Sequence, residues 1–160
     1  KGMVAEKRPF QGILYAGLIQ TATGPKVIEF NARFGDPETQ VVLARLESPL
    51  SEIISSLLVK EQPTIAWNEL ASVGVVVAAE GYPNQYKTNL PLPEMSGETI
   101  YYAGVTRSEQ ALVSAGGRIF LAEATASTLE EARKKVYQTL DNYSFPGMYY
   151  RKDIGVKGLI

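Results

Sequence analysis

The sequence predicts an α+β fold: antiparallel strands with helices in the first part, then a small mixed sheet-and-helix domain. Three observations carry this. Two β-branched and aromatic runs, QGILYAGLIQT (Gln11 to Thr21) and KVIEFN (Lys26 to Asn31), flank the Gly-Pro turn of TATGPK and read as a hairpin. Two segments that start at Asp36-Pro37 and Ser48-Pro49 carry apolar residues at helical spacing. From Ala66 onward the texture changes to short strands and turns with one further helix, which divides the chain into residues 1–65 and 66–160.

In order along the chain, Gly2 to Lys7 has the character of the last turns of a helix, stopped at Arg8-Pro9 because the residue before proline is pushed out of the helical region. The hairpin follows. Asp36 is then placed to cap a helix, with Pro37 at the first helical position, where no amide donor is needed, and Glu38 near the positive end of the dipole. Val41, Val42 and Leu46 give that helix its buried side. Ser48-Pro49 repeats the device for a helix through Ile53, Ile54, Leu57 and Leu58 that ends near Gln62-Pro63. Ser72 to Glu80 is a nearly continuous apolar strand, expected to be buried on both faces. GYPNQYKTNLPLPEMSG is a long loop, and long loops in compact domains are commonly functional or disordered. Strands are expected at Thr99 to Val105, Ala111 to Ser114 and Arg118 to Ala126, the last two joined as a hairpin by Ala115-Gly116-Gly117. Ser127 to Glu130 reads as a capping box opening a helix with Leu129, Ala132, Val136 and Leu140 on one face. The tail FPGMYYRKDIG reads as irregular.

Composition narrows the chemistry. With 160 residues, 45% of them apolar, the chain can bury one ordinary core or two small units that share one. Lys and Arg total 16 against 17 acidic residues without a block of like charge, so no footprint for nucleic acid or an anionic membrane is present. There is no Cys, which removes disulfides, thiolate metal sites and Cys nucleophiles and suits a reducing, cytoplasmic setting. There is no His either, so Ser-His-Asp chemistry and imidazole-bound zinc are excluded. The longest apolar runs, such as VGVVVAA, fall far short of the roughly 20 residues that span a bilayer. Catalysis would have to use carboxylates, Lys, Arg, Tyr, backbone groups or a metal held by oxygen. The opening KGMVAEKRPF has no signal-like segment and no initiating Met, and it reads as the interior of a longer protein.

The stretch KVIEFNARFGDPETQ carries the most chemistry. On a strand, Glu29 and Asn31 share a face, their backbones about 7 Å apart, while Ile28 and Phe30 face the other way. A carboxylate and an amide oxygen form a hard donor pair suited to Mg²⁺, which keeps waters and takes further ligands from phosphates. Arg33 follows as a planar cation able to grip a phosphate or carboxylate, and the helix start at Asp36 offers backbone donors nearby. The same alternation also suits a solvated strand face, and FGDPE suits a plain capped turn; the residues alone leave both open.

The run EFNARFGDPETQ resembles the signature of the phosphoribosylamine-glycine ligase family of the ATP-grasp superfamily. RPFQGILYAGL before it, VVLARLESPL after it, and GYPNQY, STLEEA and FPGMYYRKDIG further on resemble the family in the same order. The resemblance covers essentially the whole chain. It implies that residues 1–65 are the C-terminal portion of an ATP-grasp domain and 66–160 the ligase's C-terminal domain. It further implies ATP-dependent joining of glycine to 5-phosphoribosylamine through a glycyl phosphate, with Mg²⁺ or Mn²⁺ as the metal. Residue by residue, it makes Glu29 and Asn31 the metal ligands. Arg33 becomes the cation on the transferring phosphoryl group, and Asp36, with Glu38, orients glycine or takes a proton. The resemblance also implies a missing N-terminal half, since no GxGxxG or GxxxxGK phosphate loop occurs here, so this chain alone is expected to fold without catalysing. Another ATP-grasp carboxylate-amine ligase and a non-catalytic scaffold stand as alternatives.

Other residues admit two readings each. Tyr82 and Tyr86 line a substrate cleft or are ordinary loop tyrosines. Arg151, Lys152 and Asp153 reach a phosphate or form a surface network. Trp67 is expected in core or interdomain packing, and Arg133, Lys134 and Lys135 on the wet face of their helix.

Overall fold

The computed structural model describes residues 2–95, 99–109 and 111–159. The chain divides into two compact units, Lys1–Thr39 with Leu46–Trp67, and Gln40–Arg45 with Asn68–Ile160.

The first unit is built on an antiparallel hairpin of β1 (Tyr15–Thr21) and β2 (Gly24–Asn31). The short helix α1 (Gly2–Ala5) precedes it. Strand β1 starts later than the apolar pattern from Gln11 suggests, because Gly12 adopts a φ of 149° and turns the chain beside the Phe10 ring. Gln11 leaves the ladder and donates from its side chain to the Leu57 carbonyl near a helix end, an oxygen that also accepts from the Lys60 amide at 2.9 Å. That helix, α3 (Leu50–Leu58), is capped by Pro49 without any side-chain bond. Ser48, expected as part of the helix start, instead accepts from the Ala66 amide at 2.8 Å and ties down the segment beyond the helix. The helix stops at Leu58 rather than near Pro63 because Lys60 turns into the left-handed region at φ 63°. On the hairpin, Leu18, Val27, Ile28 and Phe30 are each more than half exposed. Trp67 is 44% exposed and forms an isolated bridge with Leu46, so it is not a core residue of its unit.

Helix α2 (Glu38–Leu43) has residues on both sides of the division. In the second unit, β3 (Ala71–Ala79) and β7 (Arg118–Ala126) are the central pair of a four-stranded antiparallel sheet, flanked by β4 (Thr99–Tyr102) and β8 (Met148–Tyr150). Helix α4 (Leu129–Asp141) packs on β3 and β7. Val75, Val77, Ile119, Ala122, Val136 and Leu140 are at most 1% exposed, and each large aliphatic side chain buried this way contributes about 1.5–3 kcal/mol. Val73, Val75 and Val77 are buried on one face of β3, while on the other Gly74 and Val76 are half-buried and Ala78 is buried, so the apolar run is covered on both faces to different depths.

Several local expectations change. The run from Thr99 breaks at Ala103-Gly104, and the chain turns away as β5 (Val105–Ser108) to pair with β6 (Ala111–Ser114). Ala115-Gly116-Gly117 therefore links β6 to β7 without pairing them. The cause is a backbone crossing: a Cβ on Gly104 would lie 2.8 Å from Gly116 Cα, and the Ala115 amide bonds to the Gly104 carbonyl at 2.7 Å. The α4 cap is Thr128, whose hydroxyl accepts from the Glu131 amide at 3.2 Å. The box thus sits one residue later than Ser127 to Glu130, and Ser127 donates to the Glu131 carboxylate at 2.5 Å. The tail supplies β8, an edge strand whose three residues are hidden in the sequence by the preceding Pro146-Gly147. Arg133 is not simply solvated: it donates to the carbonyls of Ile154 (2.9 Å) and Lys152 (2.6 Å) and lies 4.7 Å from the Tyr137 ring centroid. It pins the tail to α4.

Candidate functional site

The β1–β2 register sets Tyr15 opposite Asn31 and Gly17 opposite Glu29. Cross-strand partners and alternate residues share a face, so these four positions lie together. Gly17 is the floor beneath Glu29: a Cβ there would come 3.2 Å from Glu29 Cγ. The pairing slips between Gly17 and Leu18, leaving Ile28 as the extra residue of a bulge next to Glu29, the kind of irregularity that re-aims a side chain. Asn31 Nδ2 donates to Glu29 Oε1 at 3.0 Å, so the two side chains meet.

The pair fits a hard divalent cation of the magnesium type. A carboxylate and an amide converge on one point of an accessible strand face, and the amide carries its oxygen and nitrogen on one rotatable torsion. Among the described residues no group of three or more His, Cys, Asp or Glu side chains is placed to hold a metal. The donor set is thus of the kind that leaves most positions to water and phosphate oxygens.

After β2 the chain turns through Arg33, which is exposed and spends one donor on the Phe34 carbonyl at 2.9 Å. Asp36 is exposed and joined to Pro37 by a cis peptide bond. Helix α2 begins only at Glu38, so Pro37 precedes it rather than occupying its first position. The Thr39 amide, expected among the open donors, bonds to the Gly35 carbonyl at 3.2 Å, and the Thr39 hydroxyl donates to the same oxygen. The helix start therefore offers a phosphate less than the sequence suggests, while the Arg33 guanidinium stays available.

Tyr15 is the residue that sequence reasoning missed. Its hydroxyl donates to Glu38 Oε1 at 3.4 Å, linking the hairpin face to the first turn of α2. The Glu38 carboxylate folds over Gly35, where a Cβ would collide with it. The negative charge of Glu38, then desolvation, the bond to Glu38 and the charge of Glu29 raise the Tyr15 pKa above 10.0. The bulge hid the pairing of Tyr15 with Asn31, because counting back from the turn without it gives a different partner.

The tail residues form a surface network. Arg151 grips Asp153 through two bonds of 2.9 and 2.5 Å, and Lys152 bonds to Asp141 at 2.5 Å while lying 4.4 Å from the Tyr150 ring centroid. The hydrogen bond and charge of Arg151 lower the Asp153 pKa, and the bonds from Lys152 and Tyr150 lower that of Asp141. Tyr82 and Tyr86 stack edge to face at 5.8 Å in the loop after β3.

Comparison with known proteins points the same way. The family profile described as phosphoribosylglycinamide synthetase, C domain, matches residues 72–157, and that described as phosphoribosylglycinamide synthetase, ATP-grasp (A) domain, matches residues 1–39. A curated phosphoribosylamine-glycine ligase of Halalkalibacterium halodurans is 50% identical over 163 residues, covering 99% of this chain and 38% of the relative. One from Lactococcus lactis subsp. lactis is 50% identical over 161 residues, covering 99% of this chain and 39% of the relative. The crystal structure of phosphoribosylamine-glycine ligase from Thermotoga maritima matches with a TM-score of 0.77 at 31% identity, over 88% of this chain and 36% of that one. The chain thus spans 38% and 39% of the length of these two curated relatives.

Proposed function

The chain belongs to the phosphoribosylglycinamide synthetase family, and from that membership we propose that it is part of an ATP-dependent ligase joining glycine to 5-phosphoribosylamine. In this reading residues 1–65 close the ATP-grasp domain, residues 66–160 form the C-terminal domain, and the enzyme works in the cytoplasm. The glycine carboxylate attacks the γ-phosphorus of ATP and releases ADP. The phosphoribosylamine nitrogen then attacks the acyl carbon of glycyl phosphate, and phosphate leaves with loss of a proton, giving glycinamide ribonucleotide. The chain alone is not expected to catalyse, since the steps need ATP, metal and both substrates held together.

The observation that supports this most is the convergence of Glu29 and Asn31 on one hairpin face above Gly17. Their oxygens are the ligands for Mg²⁺ or Mn²⁺; when bound, such an ion neutralises charge on the ATP phosphates. Gly17 and the bulge keep the Glu29 carboxylate seated and aimed. Arg33, one turn further on, holds the transferring phosphoryl group or the acyl phosphate by a two-pronged grip and stabilises charge as it moves. Asp36 receives the ammonium of glycine or the proton of the attacking amine. Tyr15 holds Glu38 in place at the edge of this face.

The test is ADP release by a ligase of the relatives' full length that carries this chain, assayed with glycine, with phosphoribosylamine generated in situ, and with both. Release that requires both supports the reading. Release indifferent to phosphoribosylamine assigns the chain to a ligase of another amine.

A further inference from the structure

Arg33 is exposed, and among the described residues its guanidinium bonds only to the carbonyl of its own neighbour, Phe34. A long side chain with no bond to another element keeps most of its rotamer freedom, so its tip is placed only as well as the backbone that carries it. What fixes the turn between Asn31 and Glu38 therefore decides where this charge stands.

The attachments of that turn all lie within the first unit. Asn31 ends β2 and pairs with Tyr15 in the ladder. Phe34 lines an apolar cavity of about 280 Å³ together with Leu50, Ile53 and Leu57 of α3. The Gly35 carbonyl accepts from both the amide and the hydroxyl of Thr39. The Glu38 carboxylate folds over Gly35, on the spot a Cβ would take, and receives the Tyr15 hydroxyl at 3.4 Å. Tyr15 thus holds both ends of the segment: its backbone pairs with Asn31, where the turn starts, and its side chain bonds to Glu38, where the turn finishes. Tying the two ends of a loop to one residue removes conformational freedom from everything between them.

We propose that Tyr15 is a positioning residue for Arg33: it clasps the turn between Asn31 and Glu38 and so sets the reach of the Arg33 guanidinium. The role is separate from the seating of the metal pair. Gly17 lies opposite Glu29 and makes room for its stem, whereas Tyr15 acts on the turn beyond Asn31. The inference rests on the ligase reading for the task of Arg33, the grip on the transferring phosphoryl group, and adds what places that group. A misplacement of about 1 Å in a reacting group can cost on the order of 10²-fold in rate. Losing the clasp while the ladder, Phe34 and Thr39 still hold the turn costs less, about tenfold.

The test is a double-mutant cycle in a ligase of the relatives' full length that carries this chain. Tyr15→Phe keeps the ring and the backbone pairing and removes only the hydroxyl; it is made with Arg33 in place and on top of Arg33→Ala. The expected result is ADP release about tenfold slower in Tyr15→Phe when Arg33 is present, and less than about twofold slower when it is added to Arg33→Ala. The Mg²⁺ concentration for half-maximal rate stays unchanged in Tyr15→Phe, while Gly17→Val raises it. Amide hydrogen exchange, read without substrates, quickens at Thr39, whose bond to the Gly35 carbonyl closes the turn, and stays as it was along β2. A loss of the same size on both backgrounds, no loss on either, or unchanged exchange at Thr39 overturns the proposal. Failure of the ligase reading shows before Tyr15 is touched, as ADP release that ignores phosphoribosylamine or that Arg33→Ala leaves intact; either result removes the task of Arg33 and this inference with it.

Discussion

Asn31 and Glu29 stand two residues apart on β2, and the Asn31 amide donates to the Glu29 carboxylate at 3.0 Å above a glycine on the neighbouring strand. A solvated strand face would place no demand on the residue opposite; here Gly17 is the opposite residue, and its lack of a side chain leaves room for the Glu29 stem.

Gly17→Val follows directly. The added branches would meet Glu29 Cγ, which already sits 3.2 Å from where a Cβ would be, and displace the carboxylate without touching a buried core. In a full-length ligase carrying this chain, the metal concentration needed for half-maximal rate should rise about tenfold, roughly 1.4 kcal/mol of binding. The melting temperature should change little. An unchanged metal requirement would show that Gly17 does not seat Glu29.

The Tyr15 hydroxyl gives a pH signature. Its pKa lies above 10.0 because the phenolate would face the Glu38 carboxylate first and Glu29 as well. A raised folded-state value means that the folded chain holds its proton longer than the unfolded chain. The stability this confers is complete below pH 10.0 and is lost as pH rises through the raised value. Absorbance titration should show one tyrosine whose transition moves downward in Glu38→Gln; no movement would mean that Glu38 does not set it.

These residues show where the sequence was legible and where it was not. The strand alternation that put Glu29 and Asn31 on one face is local, fixed by the period of two, and could be read directly. The role of Tyr15 needed the register, and a one-residue bulge concealed it. Gly104 and Gly116 look like ordinary turn residues until the chain crosses itself there, which is why Thr99 to Val105 read as one strand and Ala115-Gly116-Gly117 as a hairpin turn. Strand β8 has only three residues and gains its identity from pairing with β3. The core of the second unit was readable from Val73 to Ala79 and from the apolar face of α4, because burial there follows periodicity.

Capping of α4 separates two readings that differ by one residue. Thr128→Ala removes the hydroxyl that accepts from the Glu131 amide and should cost about 1 kcal/mol in urea unfolding. Ser127→Ala should cost less, since it loses only an exposed bond to the Glu131 side chain. The reverse order would return the cap to Ser127.

Acid should loosen the tail first. The partners of Asp153 and Asp141 lower both pKa values below 3.8, so the stability they confer is present above pH 3.8 and is lost as pH falls through the lowered values. Amide exchange around residues 148–154 should quicken in that range, and Asp141→Asn should remove part of the effect at Lys152. Exchange that is flat in this range would place the docking of the tail in the Arg133 bonds to the Ile154 and Lys152 carbonyls and in the Tyr137 hydroxyl, which donates to the Arg151 carbonyl at 2.6 Å and accepts from the Ile154 amide at 3.2 Å.

The most direct test of the metal assignment is Mn²⁺ binding, followed by electron paramagnetic resonance with ATP present, in a ligase of the relatives' full length carrying this chain with Glu29 or Gln at position 29. The account predicts that Glu29→Gln, while still folded, weakens Mn²⁺ binding in the ATP complex by about tenfold or more and lowers ADP release by roughly 10²-fold or more. Undiminished Mn²⁺ affinity and turnover in that variant would contradict it and leave the Glu29–Asn31 pair as part of the hairpin's scaffold.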